Sequence, residues 1–314
     1  MNNFPLVSAV IPTFNRANLV CEAVESVLQQ SYRNMEVIVV DDGSTDDTLV
    51  RLQAYGDRVR VISQSNAGPA VARNRGISAS KGEIVAFLDS DDLWLPNKIE
   101  RQVALMERAG KSVPCCVSNI TMRWTEKELN SFEIAALSPR LDEGIWMNAD
   151  EVLATRFLLF NQGIAIRREV LEKIGGFDEK LWLLEDHELA LRLSLEGPWA
   201  FIKDPLVIWR ETRAGSLYKD SQKDDERWME PLVSILEKHL ERVSGDRRHS
   251  ALGPCVAREL NRARRELRLS RMCKKTTHGL SLLGSAFKAI EHYRKAVFRR
   301  SPFFPKMKTV SIEC

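Results

Sequence analysis

Four short apolar runs, residues 6–11, 36–40, 59–62 and 84–88, alternate with stretches of helical periodicity, and this alternation limits the possible folds more than any other feature of the chain. Strands separated by whole helices do not pair as hairpins; they lie side by side in parallel, with the helices covering the sheet. The pattern predicts an α/β fold, a Rossmann-like and mostly parallel sheet flanked by helices.

The first helix is expected over residues 17–30, where Leu19, Val20, Ala23, Val24, Val27 and Leu28 recur at helical spacing. A second is expected to be capped by Thr45 and a third to follow Gly68. Pro96 suits the first turn of a fourth, ending at Glu107. Beyond a strand at 113–117 the reading is an irregular polar segment over 122–148, a short helix at 150–157, a turn at Gly175-Gly176 and a helix at 185–195. From residue 224 the pattern is helical, with no further strand signal. The expected organisation is an α/β domain over residues 1–220 and a basic α-helical extension over 221–314.

Charge divides along the same line. Residues 1–240 carry 28 Lys and Arg against 37 Asp and Glu, net −9, whereas residues 241–314 carry 18 against 6, net +12. The two parts are suited to different partners. The six cysteines show no CxxC spacing and the first strand follows closely on Met1, so a cytoplasmic chain with reduced thiols is expected. No apolar run reaches the roughly 18 residues that span a bilayer, which leaves peripheral contact as the expected membrane role.

Open parallel sheets bind ligands beyond the carboxyl ends of their strands, so the residues after each run are the candidates for chemistry. The first run leads into Pro12-Thr13-Phe14-Asn15-Arg16 and the second into Asp41-Asp42-Gly43-Ser44. A carboxylate there can accept from a pyrimidine imide or from ribose hydroxyls, and Gly43 permits close backbone approach. The same four residues also suit an ordinary turn and helix cap. Residues 66–76 put a glycine turn before a helix carrying Arg73 and Arg75, where amides and arginines can hold a diphosphate; a simple Gly-capped surface helix is the alternative. The fourth run ends in Asp89-Ser90-Asp91-Asp92. Three carboxylates in four residues repel one another unless a cation sits among them, and Asp-x-Asp suits Mg²⁺ or Mn²⁺ bridging to diphosphate oxygens, with a solvated acidic loop as the alternative. Glu185-Asp186 opens the last helix, where a carboxylate can remove a hydroxyl proton or can simply favour the helix dipole. GxxxxGK[ST], GxGxxG, GxSxG and HExxH are all absent.

Taken in order, VIPTFNR (10–16), VVDDGSTDDT (39–48), NAGPAVARNRG (66–76), LDSDD (88–92), GGFDE (175–179) and LEDHELALR (184–192) resemble the family 2 glycosyltransferases of the GT-A fold, over roughly residues 6–217. The resemblance implies an inverting transfer of sugar from a nucleotide-sugar, UDP-linked above all, to a hydroxyl of a glycan or lipid-linked glycan in cell-surface polysaccharide synthesis. It implies a nucleotide-sugar half over 1–110 and an acceptor half over 111–220. It puts Thr13 and Asp42 on the nucleoside with Pro12, Asn15 and Asp41 nearby, and Arg73 close to the nucleotide. Asp89 and Asp91 become the metal and diphosphate site, Asp91 the direct ligand to Mn²⁺ or Mg²⁺, and Asp186 the general base beside Glu185. Many relatives carry a histidine where this chain reads Thr212, so the resemblance supplies no imidazole as a third metal ligand, and Arg210 or Arg213 is expected to assist the diphosphate instead.

His187 reads as a partly exposed helical residue, and His239, His249, His278 and His292 form no ligand set. In the extension, Arg258, Arg262, Arg264, Arg265, Arg268 and Arg271 precede apolar and aromatic residues. That interleaving suits an anionic membrane surface, the inner face of the cytoplasmic membrane; packing on the protein is the alternative. Two further readings are weighed. A noncatalytic nucleotide-sugar-binding module would be favoured by loss of Asp89, Asp91 or Asp186, all of which are present, and a nucleic-acid binder would leave the six motifs unexplained, so no nucleic-acid partner is expected.

Overall fold

The computed structural model describes residues 4–123, 128–158, 161–210, 225–276 and 308–312. The first half alternates as the apolar runs require: β1 (Val7–Thr13), α1 (Ala17–Leu28), β2 (Met35–Asp41), α2 (Thr48–Gln53), β3 (Arg60–Ser63), α3 (Pro69–Ala79), β4 (Ile84–Phe87), a short β5 (Leu93–Trp94) and α4 (Lys98–Ala109). The second half runs β6 (Cys115–Arg123), β7 (Glu128–Asn130), α5 (Ser131–Ile134), β8 (Glu143–Trp146), α6 (Ala149–Leu153), β9 (Ile164–Arg167), α7 (Arg168–Ile174), α8 (Glu185–Ser194) and β10 (Trp199–Arg210). Two long helices follow, α9 (Asp225–Gly245) and α10 (Gly253–Thr276), and then β11 (Thr309–Val310).

The strands form one sheet in the order β11-β8-β10-β6-β9-β4-β1-β2-β3, with β5 added on β10 and β7 on β6. β3, β2, β1 and β4 pair in parallel, and β6 and β10 pair in parallel with each other. β9 lies antiparallel between β4 and β6, so all six of those strands point the same way and the sheet is mostly parallel, as expected. Their carboxyl ends therefore gather on one edge.

Alternation along the strands sorts side chains to two faces. Val7, Ala9, Ile11, Ile84, Ala86 and Leu88 join α1 and α4 in one core, while Val10, Val85 and Phe87 join α7 and α8 in the other. α9 and α10 pair through Met229, Leu236, Val243, Val256, Leu260 and Leu267. α9 also packs on the α/β part: Ile235 enters the second core, Lys238 pairs with Asp178 at 2.8 Å, and Arg242 pairs with Glu188 at 3.0 Å.

Several expectations are corrected. Thr45 does not cap α2; Asp46 Oδ1 accepts the Thr48 N–H at 3.0 Å, and the Thr45 N–H goes to Asn15 Oδ1 at 2.8 Å. Pro96 precedes α4, which starts at Lys98. The segment read as irregular contains β7, α5 and β8, with Asn130 and Glu133 forming a reciprocal capping box on α5. The C-terminal part does return to the sheet, since β11 pairs antiparallel with β8. His187 is buried at 5% exposure, not partly exposed.

Candidate active site

The loops after β1, β2 and β3 are laced together by their own polar residues. Pro12 and Thr13 are the last two residues of β1, and the Thr13 carbonyl accepts the Asp42 N–H at 2.8 Å. Asn15, at φ +52°, donates its N–H to Ser44 Oγ at 2.9 Å. Asp41 accepts the Ser44 N–H at 3.2 Å. Gly43, at φ +82°, lies so close to the next loop that a Cβ would meet Asn66 N at 2.8 Å. Asp42 is buried and holds residues 64–68: Oδ1 accepts from Gln64 Nε2 at 2.7 Å and from Ala67 N at 2.9 Å, and Oδ2 from Gly68 N at 2.8 Å. Thr13 Oγ1 is buried among these loops with no hydrogen-bond partner among the described residues.

Arg73 crosses the next gap. Its guanidinium, buried within α3 and 5.4 Å from the Phe177 ring centroid, donates to Asp89 Oδ1 and to Glu185 Oε1, both at 2.7 Å. Burial disfavours its charge, but the two carboxylates outweigh burial and raise its pKa. One cation thus joins the end of β4 to the start of α8.

Asp89 is held on both oxygens, because Oδ2 accepts from Gln162 Nε2 at 2.6 Å. Asp91 lies 3.9 Å from Arg16 Nε and its side chain is 24% exposed. Asp92 is buried; burial first, and then the charges of Asp91 and Asp89, push its carboxyl well above the usual range. Its Oδ1 accepts the Arg210 N–H at 2.9 Å, whereas Oδ2 has no hydrogen-bond partner among the described residues. The Arg210 side chain donates Nε to the Asp91 carbonyl at 2.6 Å and pairs with Glu22. Among the described residues no three His, Cys, Asp or Glu side chains are arranged to hold a metal ion. Thr212 and Arg213 lie outside the described residues.

Asp186 follows a backbone kink at Leu184, φ +64°, and sits buried in the first turn of α8. The loop leading to it is anchored by Asn74, which accepts the Phe177 N–H at 2.8 Å and donates to the Phe177 carbonyl at 2.9 Å. Burial and then the Glu185 charge push the Asp186 carboxyl up to about 7, against the opposing pull of the His187 N–H and Arg73. A carboxylate poised near neutrality in such a place suits proton transfer. His187 itself is held neutral by burial, its pKa pushed down to about 4.

All the strand-end motifs therefore meet at one edge of the sheet, connected by hydrogen bonds. The residue that the motifs did not reveal is Gln162. It precedes β9 in an Asn-Gln-Gly turn that reads from the sequence as a plain loop.

A family model described as Glycosyl transferase family 2 matches residues 8–175, more than half of the chain. A Bacillus subtilis relative, named provisionally as the teichuronic acid biosynthesis glycosyltransferase TuaG, is 44% identical over 110 residues, 33% of this chain and 44% of that protein. The chain spans 57% or less of the length of the first curated relatives it matches. Among solved structures, S. aureus TarS 1-349 in complex with UDP-GlcNAc is similar with a TM-score of 0.68 at 18% identity, covering 93% of this chain and 83% of that one. The mannosyltransferase PcManGT from Pyrobaculum calidifontis, in complex with GDP-Man and Mn²⁺, is similar with a TM-score of 0.58 at 20% identity, covering 93% and 81%. At these identities the likeness establishes the fold, which is GT-A.

Proposed function

The chain belongs to glycosyl transferase family 2, and on that premise we propose that it is an enzyme transferring a sugar from a nucleotide-sugar to a hydroxyl of a glycan or lipid-linked glycan. The observation that carries the reading is the Asp89–Arg73–Glu185 bridge: it ties the strand-end loops to a buried carboxyl, Asp186, whose pKa lies where a general base is useful. Binding and proton removal are then performed by one connected set of side chains.

UDP is the proposed nucleotide, in line with the UDP-GlcNAc held by TarS, and the name of TuaG supports a surface polysaccharide as product. Thr13 Oγ1 and the edge formed by Asp41 and Asp42 receive the nucleoside, and the N-terminal turn of α3 faces the diphosphate. Asp186 takes the proton from the attacking hydroxyl as that oxygen bonds to the anomeric carbon and the nucleoside diphosphate leaves. With one base and no carboxylate acting as nucleophile, the transfer is a single displacement with inversion.

The acidic cluster fits a divalent ion held chiefly by substrate. Three neighbouring carboxylates, one with an unpartnered buried oxygen, concentrate negative charge that a cation relieves, and Mg²⁺-type sites commonly use one or two carboxylates plus phosphate oxygens. Asp91 would hold the ion, with Asp89 braced behind it by Arg73 and Gln162. Mn²⁺, as in PcManGT, or Mg²⁺ would neutralise charge on the leaving diphosphate.

No helix among the described residues is long and apolar enough to cross a membrane. Peripheral contact with the inner face of the cytoplasmic membrane is proposed through α10. Arg258, Arg265 and Met272, seven residues apart, form an exposed stripe with Arg268 and Leu269.

A thermal-shift screen against UDP-, dTDP- and GDP-sugars, each with and without Mn²⁺ or Mg²⁺, tests the reading, because a ligand of the folded state raises its stability. A metal-dependent shift with one nucleotide class supports it. No shift with any of them would favour a noncatalytic module.

A further inference from the structure

The turn Asn161–Gly163 belongs to none of the six motifs, yet its backbone is fixed from several elements. Trp94 Nε1 donates to the Gln162 carbonyl at 3.0 Å, and the Gly163 carbonyl accepts from Gln102 Nε2 at 2.7 Å and from Ser118 Oγ at 3.2 Å. Gln102 is braced in turn by Lys98 Nζ at 2.8 Å, a buried amine that lies 4.1 Å from the Trp94 ring centroid. Such support holds a side chain rigidly where the turn places it.

The Gln162 side chain reaches Asp89. Its Nε2 donates to Asp89 Oδ2 at 2.6 Å, which fixes the sense of the amide, since the reverse would set oxygen against carboxylate. Gln162 Oε1 is then turned away from that bond, buried and without a hydrogen-bond partner among the described residues, and Asn161 Oδ1 is in the same state. Each residue is 3% exposed. Buried acceptors left unmet are costly, and acceptor oxygens call for a ligand that donates.

We propose that Asn161 and Gln162 form the sugar-reading part of the donor site, accepting hydrogen bonds from hydroxyl groups of the nucleotide-sugar's pyranose ring. This rests on the nucleotide-sugar reading above. The position fits, because a sugar in transfer lies between the diphosphate and the base, and Gln162 is bonded to the same Asp89 that Arg73 ties to Glu185 beside Asp186. A site that accepts from a substrate hydroxyl also rejects an analogue lacking it, so these two residues select among sugars.

Calorimetry on the full chain with Mn²⁺ tests the inference, using UDP, UDP-GlcNAc, UDP-glucose, UDP-galactose and their deoxy counterparts, with GDP and GDP-mannose in parallel. Asn161→Leu removes one acceptor without touching Asp89, and Gln162→Met removes the other while keeping chain length. The wild type is expected to bind one nucleotide-sugar more tightly than the free nucleotide. Asn161→Leu is expected to lose at least about tenfold of that advantage with nucleotide affinity unchanged, and the deoxy donor missing the recognised hydroxyl should bind variant and wild type alike. Variants that keep the wild-type ratio of nucleotide-sugar to nucleotide affinity would show that ordered water satisfies these oxygens, and would overturn the inference. So would an equal loss for nucleotide and nucleotide-sugar. A wild type that binds none of the nucleotides would overturn the transferase reading, and this inference with it.

Discussion

The chemistry proposed here depends on a buried charge balance around Arg73. Replacing Arg73 with Met leaves Asp89 and Glu185 facing each other without their cation, and the expected cost is about 3–5 kcal/mol of stability, read by denaturant unfolding. The same balance sets a pH dependence. Asp186 must be ionised to act as base, so transfer should rise with pH through about 7 and level off above it. Burial and the Glu185 charge hold that carboxyl up, so Glu185→Gln should move the rising limb to lower pH; a pH–rate profile of both proteins checks the sign. Much at this scale was legible in the sequence, because Asp41, Asp42, Asp89 and Asp91 sit at or just after the ends of β2 and β4, and Arg73 and Asp186 sit in motifs on α3 and α8. What was not legible is which partner each polar atom finds. Asp46 outcompetes Thr45 at α2, and Gln162 supplies Asp89 from a turn 73 residues away.

Helix α3 owes its position to small residues. Ala70, Ala72 and Gly76 face the sheet, and a Cβ on Gly76 would fall 2.2 Å from Val10 Cγ1 in β1. Gly76→Ala should therefore cost about 1–3 kcal/mol through overpacking, and should lower donor affinity as well because it displaces the helix that carries Arg73. For α10 the expected result is binding to anionic vesicles that weakens with salt, each basic residue near the surface contributing about 1 kcal/mol, and that falls when Arg258, Arg265 and Arg268 are all changed to Glu. A co-sedimentation assay with anionic and zwitterionic vesicles separates this from packing of the helices on the protein. The elements hardest to read from sequence were those without clean alternation. β10 runs Trp-Ala-Phe-Ile-Lys-Asp-Pro-Leu and shifts register on either side of Pro205. β8 and β11 are short strands, β11 forming the edge of the sheet and β8 pairing both β11 and β10, and these pairings join residues far apart in the chain.

Across the whole molecule, the α/β part and the α9–α10 hairpin are joined through a core that buries two imidazoles, His187 on α8 and His239 on α9. Burial pushes their pKa values down to about 4 and about 3 from the ordinary 6.5. The folded state therefore refuses protons that the unfolded chain takes up. The stability these groups contribute is present above about pH 6.5 and is lost as pH falls toward 4. Asp186 acts in the opposite sense, its raised pKa favouring the folded state at low pH and losing that contribution as pH rises through about 7. His239→Leu should consequently flatten the fall in melting temperature between pH 6.5 and 4, measured calorimetrically beside the wild type. The central claim, that this edge of the sheet binds a nucleotide-sugar and that Asp186 activates the acceptor, is tested most directly by following nucleotide release from the donor selected in the thermal-shift screen, with water or a simple polyol as acceptor, for wild type and Asp186→Asn. The account predicts donor affinity within about twofold of wild type and release slowed by roughly 10²–10⁴-fold, the range expected for loss of a general base. Release by Asp186→Asn at the wild-type rate would contradict it.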